Sequence, residues 1–187
     1  RVVGIMDALE LDQVVLAGRS MGGSIAAWTA AHHPERVAAV ALLAPSGVSG
    51  SMRHTFPLNH IYRPGLPNRL VHAIAGTPLF EATFPDSLAR QILSVTASYG
   101  EPFEAVLPQI PQKTILVWSR TDHRTPFEYH DVYVRMIRNC RFVEAPVEAG
   151  HSLSIRYSIG IARLLEDLAR STEGDSTRPA SAPDQPS

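Results

Sequence analysis

Three residues could together perform nucleophilic chemistry: Ser20 in "VVLAGRSMGGS", Asp122 in "ILVWSRTDHRTP" and His151 in "EAPVEAGHSLS". A serine hydroxyl is a poor nucleophile at neutral pH, so it needs a histidine base and an acid that fixes the histidine tautomer. Gly18-Arg19-Ser20-Met21-Gly22 fits the GxSxG pattern, in which serine sits on a strained turn from a strand into a helix. Glycines suit such a turn because neighbouring backbone passes close by, where a Cβ would clash. The pentapeptide alone equally fits an ordinary strand-to-helix turn, so its meaning depends on the elements around it.

Those elements alternate. "RVVGIMDALEL" has apolar residues near helical spacing, and "QVVLA" is a continuous apolar run that predicts a strand covered on both faces. "MGGSIAAWTAAHH" predicts a helix stopped by Pro34. "VAAVALLA" (37–44), "KTILVW" (113–118) and "CRFVEA" (140–145) predict three further strands. "PFEYHDVYVRMIRN" predicts a helix entered at Pro126, and "SLSIRYSIGIARLLEDLAR" a closing helix weakened in its middle by Gly160. Alternation of this kind implies an α/β fold with a parallel sheet of about four strands flanked by helices. Ser20 then follows the first strand, Asp122 the third and His151 the fourth, where open parallel sheets place their sites.

Two stretches break the pattern. Residues 47–112 carry many prolines and glycines with scattered apolar clusters, which suggests a helical lid inserted between the core segments 1–46 and 113–170. The tail, 171–187, is dense in Ser, Pro and Asp and is expected to be disordered.

The stretch "GRSMGGSIAAWTAAHHPERVAAVALLAPSG", the acid loop "WSRTDHRTP" and the histidine loop "AGHS" together resemble the α/β-hydrolase superfamily, in particular its lidded GxSMGG group. The order Ser, Asp, His is the order of that fold. The resemblance implies a Ser-His-Asp triad of Ser20, His151 and Asp122, an oxyanion donor in the backbone N–H of Met21, and no cofactor or metal. The implied activity is cleavage of a carboxylic ester, thioester or lactone through an acyl-enzyme. Carbon–carbon bond hydrolysis, acyl transfer, cofactor-free peroxidation and a non-catalytic ligand-binding role on the same fold stay open. The chain departs from the family at Arg19, where histidine is usual, and at Ser119, where glycine is usual; neither position performs the chemistry. Arg19, Phe80 and Phe84 are candidate substrate contacts.

Other residues read more plainly. His32 and His33 precede Pro34 as helix-end caps, His123 is a surface or lid contact, and His130 belongs to the exposed side of its helix. His54, His60 and His72 lack metal-ligand spacing. Ser46 lies where some family members carry the acid, and "APSG" has no carboxylate there. Formal net charge is −1, with 17 basic and 18 acidic residues, which offers no footprint for nucleic acid. A small, largely apolar carbonyl compound is the expected partner. No apolar run approaches the ~20 residues of a membrane helix. The lone cysteine, Cys140, fits a reducing compartment such as the cytoplasm.

The motif comes early. The family places about four strands ahead of the helix that precedes the nucleophile strand, the third carrying a second oxyanion donor, whereas about one helix precedes Gln13 here. The expectation is therefore a C-terminal portion of a hydrolase, with residues 13–17 as an open sheet edge and activity impaired in this chain alone.

Overall fold

Runs of valine, isoleucine and leucine become the strands. In the computed structural model, which describes residues 1–48 and 103–176, they are β1 (Val14–Arg19), β2 (Val37–Leu43), β3 (Lys113–Trp118) and β4 (Cys140–Glu144). They form one sheet in the order β1-β2-β3-β4, with every neighbouring pair parallel. The register sets Leu16 beside Val40, Leu42 beside Leu116 and Val117 beside Val143. Ala39 to Leu43 of β2 and Thr114 to Trp118 of β3 are buried without interruption. Because neighbours along a strand point to opposite faces, both faces of these central strands are covered. β1 is not covered on both faces: it is an outer strand of the described sheet and only half-buried, in line with the open edge expected at residues 13–17.

The helices are α1 (Val2–Ala8), α2 (Met21–His32), α3 (His130–Met136), α4 (Leu153–Arg156) and α5 (Ser158–Ser176). α2 packs on β1 and β2, α3 on β3 and β4, and α5 across β1, β2 and β3. The buried residues of α2 are all small, Gly23, Ser24, Ala26, Ala27, Thr29 and Ala30, so its backbone can lie close to the sheet. At the centre of the core, Trp118 and Tyr133 meet edge to face with ring centroids 5.8 Å apart, and neither is exposed to solvent.

Several expectations need correction. The closing helix is two helices, and the break falls at Tyr157 rather than Gly160. Gly160 lies inside α5, and the Tyr157 ring lies across it, so that a Cβ there would stand 2.1 Å from the ring. α5 continues to Ser176, into the tail expected to be disordered; the Ser171 and Thr172 hydroxyls bond back to the carbonyls of Leu168 (2.7 Å) and Ala169 (2.6 Å). Residues 103–112, grouped by sequence with the lid, form two 3₁₀ turns and place Phe103, Leu107 and Ile110 in the main core. Gly47, at φ 122, lies so near the Phe103 ring that a Cβ would come within 2.7 Å of it. The two ends of the long excursion therefore meet. His54, His60, His72, Phe80 and Phe84 lie outside the described residues.

Candidate active site

Ser20 ends β1 and opens α2 in a conformation that few residues other than glycine adopt, φ 53 and ψ −121. The chain on both sides holds it there. Its N–H donates to the Leu43 carbonyl at 3.0 Å, and its own carbonyl accepts from the N–H groups of Gly23 (2.9 Å), Ser24 (3.3 Å) and Ser46 (3.1 Å). The strained turn expected for the GxSxG pattern is thus present, and the end of β2 braces it.

The glycines divide in a way that the motif does not announce. A Cβ on Gly18 would lie 2.1 Å from the Gly22 carbonyl oxygen, and one on Gly23 would lie 2.7 Å from the Pro45 side chain. A Cβ on Gly22 meets nothing within 4 Å, so Gly22 is not sterically required. Gly18→Ala is expected to destabilise the protein by more than about 3 kcal/mol, because the clash is with backbone. Gly22→Ala should stay within about 1 kcal/mol of the parent. Urea-unfolding midpoints of the two variants check both, and equal midpoints would contradict this account of the turn.

Asp122 follows β3 and folds back into its own loop. Oδ1 accepts the N–H groups of Arg124 (2.9 Å) and Thr125 (3.0 Å), while Oδ2 faces Nδ1 of His151 at 2.8 Å and the Thr125 hydroxyl at 2.9 Å. The carboxylate side chain is wholly buried. Burial pushes its pKa up, but hydrogen bonds from His151 and from the N–H and hydroxyl of Thr125, with the attraction of His151, outweigh that and hold it below the ordinary aspartate value. A buried carboxylate kept ionised beside an imidazole is suited to orient the ring and to stabilise an imidazolium.

Arg19 connects the serine turn to the histidine loop, donating from Nη1 to the His151 carbonyl at 2.9 Å. The Ser20 hydroxyl makes no hydrogen bond among the described residues, so its contact with Nε2 of His151 is not closed; such contacts often tighten only around a substrate. The N–H groups of Met21 and Gly22, in the first turn of α2, make no hydrogen bond among the described residues and are available to an oxyanion.

Ser119 has a larger part than its sequence suggested. It is fully buried, and its hydroxyl lies 3.1 Å from that of Thr121 and 3.1 Å from the Pro146 carbonyl, which ties the acid loop to the histidine loop. Thr121 adds a hydrogen bond to the Val147 carbonyl. Thr125, which composition and spacing did not single out, touches both Asp122 and His151. Ser46 is structural: its carbonyl accepts from the hydroxyls of Ser24 and Tyr133. His130 is not on an exposed face as expected; it packs against the rings of Phe127 (4.3 Å) and Phe142 (4.5 Å), which also meet each other. His123 is exposed, and His32 stacks on Trp28 at the end of α2. Burial pushes the Cys140 thiol up to about 11, which disfavours the thiolate a cysteine nucleophile requires. No described helix is long and apolar enough to cross a membrane.

A family model described as "alpha/beta hydrolase fold" matches residues 2–80. The 2-hydroxymuconate semialdehyde hydrolase of Pseudomonas putida is 27% identical over 188 residues, covering 89% of this chain and 66% of the relative. The 2-hydroxy-6-oxo-6-phenylhexa-2,4-dienoate hydrolase of Burkholderia cepacia is 42% identical over 153 residues, covering 68% of this chain and 53% of the relative. This chain therefore spans between about half and two thirds of the length of these relatives. Among solved structures, the enol-lactonase from Burkholderia xenovorans superposes with a TM-score of 0.63 at 20% identity, covering 90% of this chain and 70% of the other. A meta-cleavage product hydrolase superposes with a TM-score of 0.61 at 21% identity, covering 91% and 69%. Residues 2–80 thus match the α/β-hydrolase family model, and the described chain shares the α/β-hydrolase fold of these structures.

Proposed function

We propose that the chain carries the nucleophile, base and acid of a serine hydrolase: Ser20, His151 and Asp122. The observation that carries this reading is the 2.8 Å contact between Nδ1 of His151 and the buried Oδ2 of Asp122, at the same end of the sheet as the strained Ser20 turn. Asp122 keeps the proton on Nδ1 and leaves the Nε2 lone pair for the Ser20 hydroxyl. As Ser20 Oγ bonds to a carbonyl carbon, Nε2 takes its proton and the Met21 N–H meets the oxyanion. His151 then returns the proton to the departing group. Water, activated by the same nitrogen, releases the acyl product and regenerates the serine.

The nature of the bond is the finer part of the proposal. An ester, thioester or lactone is the substrate class favoured by the sequence. The relatives favour a second reading, because 2-hydroxy-6-oxo-6-phenylhexa-2,4-dienoate contains no ester or amide and its hydrolysis must break a carbon–carbon bond. Compounds of that kind also carry a carboxylate. Arg19, exposed at the site and without a carboxylate partner among the described residues, is proposed to meet it. The part of the long excursion between Val48 and Phe103 is proposed to cap the site, with Phe80 and Phe84 contributing apolar lining.

Two assays on the whole protein test this. A fluorophosphonate is expected to label Ser20, and peptide mapping that finds no adduct there would sink the reading. Release of benzoate from the phenylhexadienoate at a kcat/KM well above that for p-nitrophenyl butyrate would decide for carbon–carbon cleavage, and the reverse order for ester hydrolysis. Tight binding with neither labelling nor turnover would favour the ligand-binding role.

A further inference from the structure

Thr125 lies three residues after Asp122 and is 1% exposed. Its backbone is fixed at both ends, the N–H by Asp122 Oδ1 at 3.0 Å and the carbonyl by the indole N–H of Trp118 at 2.9 Å. Trp118 is itself the last residue of β3 and fully buried, so Thr125 is placed from the sheet. Three groups surround its hydroxyl: Asp122 Oδ2 at 2.9 Å, His151 Nδ1 at 3.3 Å and the carbonyl of Ala44 at 3.4 Å. Ala44 lies just past β2 with φ 42.

A hydroxyl has one proton to give. Of its two acceptors, Oδ2 is the nearer by 0.5 Å and carries the charge, so the proton goes there. The lone pairs of the same oxygen are then left for Nδ1, and an acceptor facing Nδ1 is satisfied only if that nitrogen bears hydrogen. This is the tautomer in which Nε2 has the free lone pair.

Resting on the triad reading above, we propose that Thr125 is a positioning residue for the Asp122–His151 pair, its hydroxyl holding Oδ2 against Nδ1 and selecting the tautomer in which Nε2 is the base. Among the described residues, the titratable groups within hydrogen-bond reach of the hydroxyl are Asp122 and His151; Ala44 presents its carbonyl, and the Trp118 indole N–H binds the Thr125 carbonyl. Removing the hydroxyl takes away one of the four hydrogen bonds on a carboxylate that stays buried. The carboxyl becomes easier to protonate, and Oδ2 is left to the imidazole alone, so both effects move the acid limb of the reaction to higher pH.

Thr125→Val keeps the branched shape and both backbone hydrogen bonds while deleting the hydroxyl, whereas Thr125→Ser keeps the hydroxyl. In the whole protein, Thr125→Val is expected to lower kcat for p-nitrophenyl butyrate about tenfold with KM within about twofold, and to raise the acid limb of the pH profile by about one unit. Thr125→Ser should restore both. The pH dependence of fluorophosphonate labelling gives the same limb without reference to a substrate. A parental profile in Thr125→Val, or a loss that Thr125→Ser does not repair, overturns the proposal. If Thr125→Val and Thr125→Ala both fail to fold, the role is structural and the proposal is equally overturned. Labelling of the Ser20→Ala variant separates the two claims: a specific adduct lost in that variant, together with unchanged Thr125 profiles, removes only the role of Thr125, whereas equal labelling without Ser20 removes the triad and this role with it.

Discussion

Ser20→Ala is expected to lower turnover by about 10⁶-fold while leaving the fold intact. On the proposed mechanism the rate loss follows from removing the atom that forms the covalent bond; what survives comes from binding and from the proposed oxyanion donor, which the substitution leaves in place. The stability half of the expectation comes from the structure. The Ser20 hydroxyl has no hydrogen-bond partner among the described residues, so alanine deletes no protein contact. The turn at φ 53 is held by backbone bonds that alanine retains, and its strain remains. Ser20→Gly should relieve that strain and unfold at higher urea concentration than the parent, although equally inactive. Steady-state kinetics with urea melts on the three proteins check this. A variant lacking Ser20 that kept more than about a hundredth of the parental rate would remove the serine from the mechanism.

Asp122→Asn is expected to cost about 10⁴-fold in kcat, and the surroundings of the carboxylate explain why so small a change is so harmful. Oδ1 is pinned by two backbone N–H groups, from Arg124 and Thr125, which accept no substitute for an oxygen. The asparagine oxygen must occupy that position, which forces its NH₂ into the place of Oδ2, opposite His151 Nδ1. A donor there meets a lone pair only if His151 moves its proton to Nε2. The ring then has no free electron pair with which to take the Ser20 proton. Folding should be little affected, because the Thr125 hydroxyl can turn to accept from the new amide. Measured kcat, together with an unchanged thermal midpoint, checks this, and a loss smaller than tenfold would show that Asp122 does not set the tautomer.

Legibility from sequence varied with the range of the interactions involved. β3 was plain because six residues of mostly apolar character lie between polar boundaries, and Lys113–Trp118 is where the strand runs. Asp122 and His151 could be nominated because each follows a strand by a few residues, and chain order along a parallel sheet puts those positions at one end. What sequence could not supply were contacts between distant positions. Thr125 stands in "TDHRTP" as an ordinary turn residue, and its importance appears only when Ala44 and His151 close around it. Helical spacing puts His130 on an exposed face because nothing local tells that Phe142, on a later strand, covers it. The same holds for Gly22 and Gly23, adjacent and identical in type, of which only the second has Pro45 against it. Residues 103–112 resembled the lid in composition, yet Phe103 and Leu107 have places waiting in the sheet core.

The parallel register has a consequence for how the site comes into being. β1, α2 and β2 form one strand-helix-strand unit, and β3, α3 and β4 another, each closed by contacts within about 30 residues of chain. The seam between them joins Val40 to Thr114, more than 70 positions apart, and loop-closure entropy makes such a pairing the slow one. Ser20 belongs to the first unit, Asp122 and His151 to the second. Neither unit alone has both the proposed nucleophile and the proposed base. A refolding chain can therefore regain most of its secondary structure before the proposed site exists, and Ser20 is brought to Asp122 and His151 only with the zipping of β2 onto β3.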